Sequence, residues 1–315
     1  MTKLSIIIPC HNEEANINLF YQALKDEVAK HNYHCEAIFI NDGSKDNTLA
    51  HLKELKGTDD LDIKVISFSR NFGKEAGIFA GLNEVSGEYA AIIDADLQQH
   101  PELVFSGLKF LNENENYDAV SYCQEERKEG FVLGFFKRTF YKFINKIADV
   151  KFVQGASDFR VMRKCVVEAI LQVSERNRFS KGIFSWVGFN TKYLPYVASE
   201  RNGGVSNWSF KQLFNYAVSG IVSYSSAPLR LSTIFGLGLS ILSFLYIVIV
   251  LIQKIFFEID VPGYPTLIVV ILFIGGIQFL MIGIIGEYLA KTFIETKNRP
   301  LYIIKEKIES KAKND

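Results

Sequence analysis

Apolar residues fall in short blocks along the first part of the chain and in two long blocks near its end. Residues 4–9 read as a strand, and 13–30 as a helix with Leu19, Phe20, Leu24 and Val28 on its apolar side. Residues 35–41 read as a second strand, 46–55 as a helix, 63–68 as a strand and 74–85 as a helix. The run 89–93 is short, continuous and bounded by Gly87 and Asp94, which suits a strand buried on both faces. A helix over 101–112 and a strand over 117–122 follow. Strands alternating with helices predict right-handed crossovers and an α/β, doubly wound, mostly parallel sheet of Rossmann-like type, with ligands at the carboxyl ends of its strands.

The two long blocks change the picture. Residues 231–252 and 267–286 contain no Asp, Glu, Lys or Arg. Each has the roughly 20 residues that cross a hydrocarbon core, so two C-terminal transmembrane helices are predicted. The loop between them carries Lys254, Glu258 and Asp260, whereas Lys291, Lys297, Arg299, Lys305, Lys307, Lys311 and Lys313 follow the second. Basic residues of short loops stay in the cytoplasm, which predicts a multi-pass protein of the cell membrane with its catalytic domain and both termini cytoplasmic. The expected domains are 1–206, a cytoplasmic catalytic domain; 207–230, an interfacial segment holding Trp208, Phe210, Phe214, Tyr216 and Tyr224; 231–290, the membrane hairpin; and 291–315, a basic tail.

Composition narrows the function by exclusion. Lys and Arg total 35 against 35 Asp and Glu, a balance without the basic excess that nucleic acid requires. Cys10, Cys35, Cys123 and Cys165 are scattered and form no Cys-x-x-Cys pair, so they read as free thiols rather than zinc ligands. The opening residues, interrupted by Pro9 and His11, do not read as a signal peptide.

The polar motifs lie where the predicted strands end: His11-Asn12-Glu13-Glu14, Asn41-Asp42-Gly43-Ser44, Ser69-Arg70-Asn71-Phe72-Gly73-Lys74 and Asp94-Ala95-Asp96. On an extended backbone residues i and i+2 point to one side, so Asp94 and Asp96 converge on the crevice above the sheet. Two carboxylates there suit magnesium or manganese, which take oxygen ligands and share them with substrate phosphates. Taken singly the other motifs have plainer readings: Asp42 a turn residue, Asn12 a helix cap, Arg70 and Lys74 solvated surface. No glycine-rich dinucleotide fingerprint and no Gly-Lys-Ser phosphate loop follows the first strand. From 125 to 146 basic residues interleave with Phe and Tyr, and from Phe135 onward this reads as an amphipathic helix at the membrane surface.

Pro9 with Asn12-Glu13, Asn41-Asp42-Gly43-Ser44, and Asp94-Ala95-Asp96-Leu97-Gln98 with Pro101-Glu102 resemble the motifs of family 2 glycosyltransferases of the GT-A fold. Ser69 to Glu75, Ser157-Asp158-Phe159-Arg160, the two apolar spans, Gly286-Glu287-Tyr288 and Asn298-Arg299-Pro300 resemble, more narrowly, the polyprenyl-phosphate glycosyltransferases. That resemblance implies transfer of a single hexose, foremost glucose from UDP-glucose, to polyprenyl (undecaprenyl) phosphate with inversion. It implies a nucleotide-sugar site of Pro9, Asn12, Glu13, Asp42, Arg70, Lys74 and Asp94, and an Mg2+ or Mn2+ site of Asp94, Asp96 and Gln98. It also implies an acceptor-phosphate site of Arg127, Arg138, Arg160, Arg201 and Ser206, with Asp158 as catalytic base. A homo-oligomer, a flippase and a downstream glycosyltransferase are the implied partners. Small residues at Ser232, Gly236 and Ser240, and at Gly286 and Ala290, suit close packing of helices in lipid. The alternatives are a transferase on the same fold with diacylglycerol or a polysaccharide as acceptor, and a catalytically silent scaffold for a flippase.

Overall fold

The structure, a computed structural model, describes residues 3–31, 33–124, 142, 144–148, 150–197, 220–257 and 263–310. Two compact units result: Met1–Asn145, Val150–Leu213 and Arg299–Asp315 form one, Lys146–Asp149 and Phe214–Asn298 the other.

In the first unit the chain runs β1 (Lys3–Cys10), α1 (Ile17–Lys30), β2 (His34–Asn41), α2 (Thr48–Glu54), β3 (Leu61–Phe68), α3 (Lys74–Asn83), β4 (Tyr89–Ile92) and α4 (Glu102–Glu113). It continues through β5 (Ala119–Gln124), β6 (Ala156–Arg163), α5 (Lys164–Gln172), α6 (Ser180–Trp186) and β7 (Thr191–Tyr196). From β1 to β5 the boundaries lie within a few residues of the predicted ones; the elements from β6 to β7 were not predicted. α1 is the largest departure, because residues 14–16 form turns before Ile17. The runs predicted as buried strands owe that character to position: β1 lies between β2 and β4, parallel to both, and helices cover its faces. Leu4, Ile6 and Ile8 are fully buried with Phe20 and Leu24 of α1, and Phe20 meets Phe39 of β2 edge to face at 6.3 Å. On the other face α3 comes so close to β1 that a Cβ at Gly81 would lie 2.2 Å from Cγ2 of Ile7.

The sheet has the order β7-β5-β6-β4-β1-β2-β3, with β8 (Ile304–Ser310) beyond β3. β6 runs antiparallel between β4 and β5, so the sheet is mixed. β8 corrects the expectation that 291–315 is only a basic tail: it pairs antiparallel with β3, Ile308 opposite Val65. Four of its seven residues are Lys or Glu, and such charges protect an exposed sheet edge from pairing with other chains. Ser69 then donates its backbone N–H to the Ile303 carbonyl at 3.0 Å, just where β3 gives way to a polar loop.

The second unit contains α7 (Ala227–Phe257) and α8 (Tyr264–Thr296), of 31 and 33 residues. Both are long and apolar enough to cross a membrane, and large side chains such as Phe235, Phe244, Phe279 and Leu289 stand exposed along them. That surface is stable against lipid rather than water. Polar groups inside the helices are satisfied locally, with Ser232 and Ser240 donating to the carbonyls of Pro228 and Gly236. Near the end of α8 the Tyr288 hydroxyl donates to the Ser225 carbonyl at 2.6 Å.

Candidate active site

From β1 the chain builds the sheet outward through β2 and β3 in one direction and through β4 in the other, and ligands collect at such a switch point. A cleft of about 290 Å³ opens there, lined by Pro9, Cys10, His11, Glu13, Asp42, Asn71, Gly73, Lys74, Gly77, Asp94, Ala95 and Asp96.

Its β2 side is fixed by Asp42, which is 4% exposed. Its carboxylate accepts the backbone N–H groups of Phe72 at 2.6 Å and Gly73 at 2.8 Å, tying the polar loop after β3 to the end of β2. The tie requires close backbone approach. Gly43 has φ +59°, and a Cβ there would lie 2.3 Å from the carbonyl carbon of Arg70. The loop after β1 is held in turn: Asn12, itself at φ 56°, donates its N–H to Ser44 and accepts from the Lys45 N–H, and Glu13 donates its N–H to Thr48. The first turn of α3, from Gly73 to Gly77, faces the cleft, and backbone N–H groups at a helix start favour an anion.

On the β4 side Asp94 lies two residues beyond the end of the strand. Asp96 is 8% exposed and accepts the Gln98 backbone N–H at 3.1 Å. Between them the chain turns through Leu97 at φ 58°, a left-handed conformation that costs an ordinary residue about 1 kcal/mol or more. Gln99 is buried; it accepts the Asp94 N–H at 3.4 Å and donates to the Tyr196 hydroxyl of β7 at 3.2 Å.

The third side is β6. Lys74 Nζ lies 2.7 Å from Asp94 Oδ1, 2.9 Å from Asp94 Oδ2 and 3.2 Å from Asp158 Oδ2. Burial opposes the charge on Lys74, but the two carboxylates outweigh it and raise its pKa. Burial also pushes the Asp94 carboxyl up; Lys74 opposes that, while Asp158 and Asp96 add to it. For Asp158 burial is again the largest influence, yet Lys74, Lys181 and Arg160 together hold its carboxyl below the usual range. Lys181 is brought near by α6, whose first residue Ser180 donates both its N–H and its hydroxyl to Glu75, the neighbour of Lys74.

The structure therefore brings Pro9, Glu13, Asp42, Lys74, Asp94 and Asp96 to one cleft and links Asp158 to it through Lys74. Four predicted residues fall elsewhere. Asn12 is exposed and outside the cleft lining, its side chain accepting the Lys45 N–H. Arg70 is exposed at the loop surface, its guanidinium 4.1 Å above the Phe72 ring. Arg160 is 6% exposed, donates to the carbonyls of Ser157 and Asp158 and lies on the Phe184 ring, a position that braces the Asp158 backbone. Gln98 presents its backbone to Asp96; its neighbour Gln99 is the glutamine built into the site. Arg127, Arg138, Arg201 and Ser206 lie outside the described residues, as does most of the basic aromatic stretch. His11, Asn71, Glu75, Gln99 and Lys181 were not assigned from sequence. Three of them had a signal, because His11, Asn71 and Glu75 belong to motifs already singled out.

Among the described residues no group of three or more His, Cys, Asp or Glu side chains forms a self-sufficient metal cage. The donor set nonetheless fits magnesium or manganese: Asp94 and Asp96 offer carboxylate oxygens on one rim, and a cation, the Lys74 ammonium, already rests there. Ions of this kind complete their shells with phosphate oxygens and water.

Comparison with known proteins gives this cleft its family. The Glycosyl transferase family 2 profile matches residues 5–171, and the GtrB C-terminal hairpin profile matches residues 227–292. A putative glycosyltransferase CsbB of Bacillus subtilis (strain 168) is 45% identical over 303 residues, covering 96% of this chain and 91% of that protein. An SfII prophage-derived bactoprenol glucosyl transferase of Shigella flexneri is 42% identical over 308 residues, covering 96% and 97%. An uncharacterized glycosyltransferase, sll0501, of Synechocystis sp. is 39% identical over 303 residues, covering 96% and 94%. The chain is thus a glycosyltransferase of family 2, with a GT-A-type catalytic fold and a GtrB-type membrane-associated hairpin.

Proposed function

We propose that this enzyme transfers one glucose from UDP-glucose to a polyprenyl phosphate, foremost undecaprenyl phosphate, at the cytoplasmic face of the membrane. The observation that carries the proposal is the three-sided cleft in which Lys74 joins Asp94, at the end of β4, to Asp158, at the start of β6, in a chain that also carries an apolar hairpin. The acceptor class and the sugar follow the bactoprenol glucosyl transferases among its relatives. One face of the cleft, with Asp94, Asp96 and the start of α3, suits a nucleoside diphosphate. Asp94 and Asp96 would hold a magnesium or manganese ion, which offsets the charge developing on the departing diphosphate.

The lipid phosphate oxygen attacks the anomeric carbon opposite the nucleotide; the bond to the phosphate forms as the bond to UDP breaks, with inversion. The acceptor needs little help in losing a proton, since the second pKa of a phosphate monoester is about 6. Asp158, kept ionised by its three cationic neighbours, orients Lys74 and the entering group. Topology supports placing the catalytic unit and the C-terminal strand on one side of the membrane. β8 follows the hairpin yet pairs with β3, so the chain between them crosses an even number of times. Basic residues after α8 favour the cytoplasm. The product would be flipped and its sugar passed on by partner proteins, and small residues in α7 and α8 would serve a homo-oligomer.

The test is incubation of the full chain with undecaprenyl phosphate and labelled UDP-glucose, UDP-N-acetylglucosamine or GDP-mannose, with magnesium, manganese or EDTA. Metal-dependent label in the organic phase from UDP-glucose, lost in Asp96→Ala, is the expected result. Label from another donor reassigns the sugar, and an Asp96→Ala enzyme of undiminished activity overturns the metal site.

A further inference from the structure

Lys74 bridges two carboxylates of the cleft. Its ammonium reaches both oxygens of Asp94 and one of Asp158, so a single cation spans the donor and acceptor sides of the cleft. Its backbone is fixed: Gly73, immediately before it, has φ +96° and donates its N–H to Asp42, and Glu75, immediately after it, holds Ser180. The side chain is not fixed in the same way. Lys74 is 43% exposed and Asp94 32%, so the Lys74–Asp94 pair lies open at the rim of the cleft where an incoming ion can reach it, while Asp158, at 19%, is more enclosed.

We propose that Lys74 is a resident counter-ion of the donor site, which yields Asp94 when a divalent ion arrives with the nucleotide and turns to Asp158 and the acceptor phosphate. The inference rests on the reading of Asp94 and Asp96 as the pair that holds the divalent ion. Without a cation the cleft would set the carboxylates of Asp94, Asp96 and Asp158 against one another, and Lys74 relieves that repulsion. A carboxylate that accepts a divalent ion attracts an ammonium far less. Lys74 then keeps Asp158 alone and has donor capacity for a phosphate oxygen on the acceptor side. Donor loading thus prepares the acceptor site, and an acceptor arriving first meets a lysine still engaged with Asp94. The device is economical because the same four-carbon stem serves both positions.

The test is Mn2+ binding to the full chain in detergent without nucleotide, read from the loss of the free Mn2+ electron paramagnetic resonance signal. Lys74→Gln is expected to bind Mn2+ roughly fivefold tighter than wild type, the upper range for a competing solvent-facing ion pair. Lys74→Arg, which keeps a cation in place, is expected to stay near wild type. Thermal unfolding verifies that each variant is folded, with Lys74→Met replacing the glutamine variant if that one is not. Equal or weaker binding by the neutral variant, with wild-type binding that is lost in Asp96→Asn, overturns this inference and leaves the metal reading standing. Absence of saturable Mn2+ binding to wild type overturns the metal reading, and this inference with it.

Discussion

Phe68 of β3 and Tyr302 stack with ring centroids 5.0 Å apart and planes inclined by 14°. One residue precedes the loop that carries Lys74, and the other lies beyond the membrane hairpin. The segment after the hairpin is therefore a working part of the catalytic sheet. Tyr302→Ala removes this stack and opens the end of β8, and it is expected to destabilise the catalytic unit by about 2 kcal/mol. The measurement is thermal unfolding followed by proteolysis of the 69–74 loop, which should become faster. A variant with wild-type melting and cleavage would show that the Phe68–Tyr302 stack does not support the catalytic unit.

Gly43 supplies a second prediction. An alanine there meets both an unfavourable φ and the backbone of Arg70, which cannot move aside as a flexible side chain would. We expect Gly43→Ala to cost at least about 2 kcal/mol and to loosen the Phe72 and Gly73 bonds to Asp42. Because that loop sets the start of α3, donor KM should rise with the loss of stability. Unchanged stability together with unchanged KM would mean that the loop relaxes freely.

Much of this was legible in the sequence, for physical reasons that also explain the gaps. The runs in β1, β2 and β4 announce themselves because central parallel strands are buried on both faces, and their carboxyl ends carry the polar motifs. β8 gave no such signal: an edge strand made mostly of Lys and Glu resembles a solvated tail until its partner is seen. Lys74 was visible as a basic residue, but its role depends on Asp94 and Asp158, which reach it through the fold rather than through sequence spacing. The inward packing of Arg160 was hidden for the converse reason. An arginine beside a catalytic motif suggests phosphate, whereas β6 turns it inward against Phe184.

Glu36 predicts the acid limit of the fold. It is wholly buried at the opposite end of the strands from the cleft, accepting from Ser5 and from the N–H and hydroxyl of Ser86, with Lys64 at 2.9 Å. Burial raises its pKa, but these partners outweigh burial and bring it from an ordinary 4.5 to about 2. A carboxyl depressed on folding stabilises above its unfolded value, and that contribution fades as pH falls from about 4.5 toward 2. It amounts to about 3 kcal/mol. Glu36→Gln should be less stable than wild type at pH 7, and the difference should shrink through this window. A difference that holds constant from pH 7 to pH 3 would contradict the assignment.

Asp158 decides between a proton acceptor and an orienting group. Lys74, Lys181 and Arg160 hold its carboxyl below the ordinary range despite burial, so it is ionised throughout neutral pH and is a weak base there. In the proposed reaction the acceptor phosphate, whose second pKa is about 6, is then the group whose ionisation limits the rate in acid. Asp158→Asn should lower kcat by about 100-fold through misplacement of Lys74 and the acceptor. The acid limb of its pH–rate profile should nevertheless stay close to pH 6, because the titrating group belongs to the substrate. Replacing the acceptor with a phosphonate, whose second pKa is higher, should move that limb upward in wild type and variant alike. If the limb instead disappears in Asp158→Asn, the aspartate is the base and the orienting role is wrong.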